Sequence, residues 1–281
     1  MAPVPDDPTA AQPADGPISA DAGGRSEGSL HVPISPVGAD RVRWVTVGVT
    51  LVGALALLAG FAAGYGPTLG ITLVLTLVLA WGWPVLSGSA TPDATSVVLA
   101  LSAVAVVLSA VRDDLRWIAA AVAFGILLSF TAQLLRRTGR EGLVLTLLSS
   151  FGGLAVIASG TTAVVAADTG RGRAVAVVAM AAVAAALLAD AMASVRVAAP
   201  VLGLVALVAA SSVAMLVSTR VDEVGLAGAF GIGAAVGTVS WSFRRVLALE
   251  PAMMTLRGQV GAGAGSVLAV GAVVHLFAVF S

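Results

Sequence analysis

From Trp44 onward, apolar runs of about twenty residues recur nine times, separated by short segments that carry arginine, proline or glycine. A helix of about 20 residues crosses a hydrocarbon core about 30 Å thick. Inside lipid every backbone N–H and C=O must be satisfied within its own segment, which for such runs leaves only the helix. The expected fold is therefore all-α: a polytopic transmembrane helical bundle with spans near 44–64, 66–86, 95–111, 117–135, 142–166, 174–193, 198–217, 224–243 and 261–280. The third is short, and the first two are parted only by Gly64-Tyr65-Gly66-Pro67.

Composition supports the same conclusion. Hydrophobic residues are 58% of the chain and charged residues 11%, against roughly 45–50% and 25% in soluble domains. The net charge is zero, so nothing points to a nucleic-acid partner. Without cysteine, disulfides, thiolate catalysis and thiolate metal sites are excluded. All 15 basic residues are arginine, and asparagine is absent too, as a GC-rich bacterial genome would produce.

Residues 1–40 are rich in Pro, Asp, Gly, Ser and Ala and lack apolar periodicity. They are expected to form a disordered cytoplasmic tail, followed by a transmembrane domain over 44–281. No basic start with a short apolar core marks a secretory signal, and the first run is long enough to remain as an anchor.

Arginine placement orients the bundle. With the N-terminus inside, the inner segments hold Arg41, Arg43, Arg136, Arg137, Arg140, Arg196, Arg244, Arg245 and Arg257. The outer loops hold Arg112, Arg116, Arg171, Arg173 and Arg220. The excess lies on the side that the positive-inside rule requires, and the expected location is a bacterial inner membrane. Trp44, Trp81, Trp83, Trp117 and Trp241 all fall near span ends, where an amphipathic indole is stable. The inner segment 244–260 is the longest and carries Leu247, Leu249, Met253, Met254 and Leu256, so it is expected to lie along the membrane surface.

Lipid tails are as apolar as leucine, so helices associate through close contact between small residues. Gly225, Ala229, Gly233 and Gly237 form a ridge on the eighth span, Gly60 and Gly64 close the first, and Gly261 and Gly265 open the ninth. The Ala/Val-rich sixth span and the eighth are expected at the centre, with the Leu-rich second and fourth toward lipid. Thr146, Ser150, Gly153 and Gly160 or Thr161 stripe the fifth span and should face protein or a cavity. Small-residue faces could also receive membrane-protein partners besides the lipid bilayer.

Five residues are candidates for function. Asp190 lies near the inner end of the sixth span, and a membrane carboxylate is costly. It would handle protons or cations, or hold a metal beside a phosphate. Alternatively it pairs with Arg196, about 9 Å of helix rise away. His275 in the ninth span would relay protons, or rest neutral at the outer interface. Arg136, Arg137 and Arg140 would grip anionic headgroups or a phosphate, or serve only to set topology. Outside these five, Gln133 would hydrogen-bond between helices, or serve only packing.

Recognised catalytic patterns are missing. A P-loop needs a lysine, and no His-Glu-x-x-His helix offers zinc ligands. Gly261-Ala262-Gly263-Ala264-Gly265-Ser266 does not follow a strand, and Gly24-Arg25-Ser26-Glu27-Gly28 lies in the tail without the strand and helix of a nucleophile elbow. No catalytic residue, cofactor site or metal site is assigned.

The layout of spans over 44–281 resembles the uncharacterised, permease-like multi-pass proteins of actinobacteria. That resemblance implies a permease-like or accessory membrane protein without chemistry of its own. An arginine loop followed by an Ala-rich span ending in Asp190 is also similar to the membrane cytidylyltransferases that make CDP-diacylglycerol. That second resemblance implies a lipid-modifying enzyme, or a decayed relative, with Asp190 near a metal–phosphate site. The family's C-terminal signature of Lys, Arg, Asp and His-Gly-Gly is missing from Val221–Phe280, which has no Lys and no His-Gly-Gly.

Overall fold

A computed structural model describes residues 44–112, 114–136, 142–193 and 198–280. The tail over 1–40, together with Arg137, Arg140 and Arg196, lies outside the described residues. Those described form helices and turns without strands. The helices are α1 (Trp44–Ala63), α2 (Tyr65–Leu86), α3 (Pro92–Ser109), α4 (Leu115–Leu134) and α5 (Leu143–Ala166). They continue as α6 (Gly170–Met192), α7 (Ala199–Ser218), α8 (Leu226–Leu247), α9 (Leu256–Leu268) and α10 (Gly271–Phe280). Among the described residues nine helical segments are long and apolar enough to cross a membrane, the ninth being α9 and α10 together. The protein is thus an all-α polytopic bundle and an integral membrane protein.

Short connections reverse the chain, so alternate helix ends gather at two ends of the bundle. Tyr65 donates from its hydroxyl to the Ala110 carbonyl at 2.7 Å, tying the start of α2 to the finish of α3. At the other end Arg257 Nε donates to the Trp81 carbonyl at 2.7 Å. We name these the Tyr65 end and the Trp44 end.

Several boundaries differ from the expectation, including the start of the third span and the connection before the ninth. The third span is not short: Pro92 stands in the first turn of α3, where its fixed φ suits a helix start. With the 3₁₀ turn Ala110–Arg112 the segment runs to 21 residues. The surface-lying segment over 244–260 shrinks, because α8 continues to Leu247 and α9 starts at Leu256. Only a short connection with the 3₁₀ turn Pro251–Met254 remains. Met253 is buried there, while Met254 and Leu256 are exposed.

The centre also differs in part. α6 is the most buried span and α4 the least. Yet α2 is interior, although its leucines suggested lipid. Thr68, Thr72, Thr76, Leu79 and Trp83 line one buried stripe on it, so its apolar residues face protein as much as lipid. The eighth span presents one small-residue face to α7 and leaves Leu226, Phe230 and Val246 exposed. A methyl placed on Gly233 would meet Ser211 Cα at 2.6 Å, and one on Gly237 would strike the Ala210 side chain. Another close backbone approach is between α2 and α9. A methyl on Gly82 would lie 2.5 Å from Gly261 Cα. Bulkier residues there would force the backbones apart.

Trp83 is an exception among the tryptophans. It is buried, donates from Nε1 to the Ser149 carbonyl at 2.8 Å and stacks on Phe243 with ring centroids 6.0 Å apart. Its position near a helix end placed it at the interface by sequence, but Gly152 and Gly153 of α5 open a slot for the indole.

Candidate functional site

Asp190 occupies the last turn of α6, on the stripe that continues from the buried Ala179, Val183 and Ala186. That stripe faces inward, and its carboxylate meets Arg244 of α8. Arg244 Nε donates to Asp190 Oδ2 at 2.8 Å, and Nη2 lies 2.7 Å from the same oxygen. The Nη2 contact lacks hydrogen-bond geometry, so it is an electrostatic approach only. The Arg244 side chain is 3% exposed and that of Asp190 22%.

By sequence Arg244 belongs to an inner segment and serves to orient the bundle. Instead it sits in the last turn of α8, on the buried face that runs Gly233, Gly237, Ser240, Arg244. The signal was present: the small-residue ridge continues at helical spacing into Ser240 and then Arg244.

Hydroxyls continue the polar contact into the bundle. Arg244 Nη1 donates to Ser240 Oγ at 2.6 Å, and Ser240 Oγ donates to the Ser266 carbonyl of α9 at 3.2 Å. Ser266 Oγ lies 2.9 Å from Thr50 Oγ1 of α1, and Thr50 also bonds the Thr46 carbonyl. The thread thus runs from α6 through α8 and α9 to α1, with every member buried except the partly buried Asp190.

Beyond this thread the ninth span is interrupted. The helix is interrupted by a turn at Ala269 and Val270, and Ser159 of α5 satisfies the backbone groups freed there. Its hydroxyl donates to the Ala269 carbonyl at 2.9 Å and accepts from the Ala272 N–H at 2.9 Å. An interruption is tolerated inside a membrane when a neighbour satisfies the freed groups in this way.

The other candidates lie apart. His275 of α10 is at the Tyr65 end, in a cavity of about 270 Å³ shared with Asp168 and Thr169, and its Nδ1 is buried without a partner. Arg136 lines a different cavity at the Trp44 end, which includes Gln133 and Ser150. Gln133 therefore does not bridge helices through Oε1, which is buried without a partner. A third polar group at the same end centres on Arg257. Its Nη1 donates to Asp93 at 2.8 Å, Nη2 donates to Ser96 Oγ at 2.8 Å, and the guanidinium lies over Trp81.

Among the described residues no group of three His, Asp or Glu is placed to hold a metal. In the loop before α4, Asp114 caps the helix by accepting from the Arg116 N–H at 2.8 Å. The hydrogen bond from the Arg116 side chain holds its carboxyl below the usual carboxylate range. Glu250, in the connection before α9, is pushed the other way by burial. Neither touches the buried pair.

No family model, curated protein or solved structure matches this chain.

Proposed function

We propose that the protein is a permease-like carrier of the bacterial inner membrane, in which the Asp190–Arg244 pair closes a polar path entering from the Trp44 end. One observation carries this reading: an arginine that is 3% exposed in a span end, held by one carboxylate and joined to a hydroxyl thread that reaches α1. Stability alone gives little reason for such a pair. Well-packed apolar residues of the same volume are often as stabilising, because they carry no desolvation cost. Ionisable groups inside spans mark ion or solute pathways by default. The interrupted ninth span beside the thread adds support, since carriers place discontinuous helices next to their binding sites. By the arginine bias the Trp44 end faces the cytoplasm.

The cavity at the Trp44 end is lined by Ser150 of the fifth span but not by Asp190. In this state the pair acts as a closed gate, not as a cavity wall. A lipid-modifying enzyme would need its acids to converge, whereas Asp190 and Asp93 each pair with a different arginine.

The native chain has no cysteine, which gives a clean test. Single cysteines replace Ser240, Ser266 and Thr50 in turn, with the lipid-facing Val52 as a control. A membrane-impermeant thiol reagent is then applied to right-side-out and inverted vesicles. The expected result is slow labelling of Ser240→Cys from the Trp44 side, accelerated there and at Ser266→Cys when Asp190→Asn opens the pair. Complete protection of all three positions from both sides, with and without Asp190→Asn, would refute a carrier and leave a closed scaffold.

A further inference from the structure

Arg244 and Asp190 do not satisfy each other fully. Nε and Nη2 of the guanidinium both approach one oxygen, Asp190 Oδ2, at 2.8 and 2.7 Å. Nη2 gains no hydrogen bond from it and has no other, although the side chain is buried. The Nε–Nη2 edge of an arginine fits the two oxygens of a carboxylate in parallel. Asp190 reaches this edge from the last turn of α6 and presents one oxygen to it. A free carboxylate, not tethered to a helix, can present two.

The two members of the pair respond differently to being parted. A guanidinium keeps its proton, whereas a carboxylate can take one up. Position adds to this. Both residues stand in the last turn of their helices, where the helix finish favours a cation and disfavours an anion. A cation drawn to Asp190 would leave Arg244 as a buried, uncompensated charge, which is strongly unfavourable. An anion drawn to Arg244 leaves Asp190, which is partly exposed and can be neutralised by one proton. The charged groups around the pair favour the same guest. Among the described residues of the helices packed against α6, α1, α5 and α7 carry no ionisable side chain, and α10 carries only His275, at the Tyr65 end. α8 adds Arg245 next to Arg244, and on α9 Arg257 is paired with Asp93.

Resting on the carrier reading, we infer that the pair is the binding site for a small monocarboxylate, which takes the Nε–Nη2 edge of Arg244 as Asp190 accepts one proton and turns away. The site holds one positive and one negative charge before and after, so a carboxylate and a proton travel together. Ser240 accepts from Arg244 Nη1 at 2.6 Å and donates to the Ser266 carbonyl. It holds the guanidinium in place while the partner on the opposite edge changes.

Formate, the smallest carboxylate, is the probe. The purified full-length chain is unfolded by heat in detergent at increasing formate, at about pH 6 and about pH 8, with sodium chloride and methylammonium chloride at equal ionic strength as controls. A ligand that binds the folded state raises the midpoint by mass action. Formate should raise it saturably, and the controls should not. Half-saturation should need about tenfold more formate for each unit of pH, the linkage of one proton. In Asp190→Asn, which is neutral without a proton, formate should bind more tightly and equally at both pH values. His275 is present in both chains, so a slope lost with this variant belongs to Asp190. Asp190→Leu with Arg244→Met, which strands no charge, should show no formate effect. The slope in the native chain remains a test even where Asp190→Asn does not fold. Stabilisation by methylammonium would overturn the assignment, as would formate binding that is equal at both pH values in the native chain, or no formate binding at all. Failure of the carrier reading looks different. Proton-linked formate binding with every cysteine position still protected would keep the site and remove the carrier. Labelling opened by Asp190→Asn without any formate binding would keep the carrier and remove the carboxylate.

Discussion

Two Arg–Asp pairs stand at the Trp44 end, and they do opposite things with the same chemistry. Arg244 and Asp190 are 3% and 22% exposed, and Arg257 and Asp93 are 23% and 89% exposed. Arg257 has several partners besides its acid: the Trp81 carbonyl, Ser96 and the Trp81 ring. Arg244 has Ser240 and Asp190, and no other described acid pairs with it. The outer pair is a clamp between the start of α9 and the neighbouring ends of α2 and α3, where water also solvates the charges. The inner pair is a dependence, because Arg244 left alone would be a buried charge without a counter-ion. A salt bridge seen as a contact says little; its surroundings decide whether it is an ornament or a constraint.

The largest test of that contrast is Asp190→Asn. It should lower stability by about 3–5 kcal/mol, because Arg244 then keeps its charge without a counter-ion. Detergent-denaturant unfolding of the purified chain reads this out. The double variant Asp190→Leu with Arg244→Met should recover most of the loss, since no charge is stranded, yet it should remain without gated labelling at Ser240→Cys. A single variant no worse than its Asp93 counterpart would erase the distinction. An intermediate effect is expected from Arg257→Met, about 1–3 kcal/mol, as its hydrogen bonds to Trp81, Ser96 and Asp93 vanish together. Arg257→Lys should recover less than half of that, because an ammonium cannot fork across three acceptors in one plane. The smallest change is Asp93→Asn. It should cost under about 1 kcal/mol and fade as salt is added, whereas the Asp190→Asn effect should persist at high salt.

Different residues show how far the sequence could be read. The nine spans were legible because length and hydropathy are properties of a segment, and lipid permits a long apolar segment almost no other conformation. Asp190 stood out for a similar local reason: a carboxylate in an apolar run is conspicuous. Its partner did not stand out. Arg196 was near in sequence, while Arg244 comes from two spans later, and arginines near a span end ordinarily report topology. The ridge of Gly233 and Gly237 was recognised, but not its extension through Ser240 to Arg244. Trp83 misled in another way. Indoles near a helix end commonly face the interface, and a glycine slot on α5 took this one into the protein.

Arrangement across the bundle was legible only in part, at the central α6 and the outlying α4, for a physical reason. The period of an apolar helix says which faces differ only when polarity contrasts around it, and here leucine facing lipid and leucine facing protein experience nearly the same medium. Hydropathy therefore placed the chain in a membrane and counted its crossings, while neighbours and depth came from shape: glycine against glycine at Gly82 and Gly261, a hydroxyl reaching across at Ser159, and two oppositely charged side chains 54 residues apart in sequence brought together.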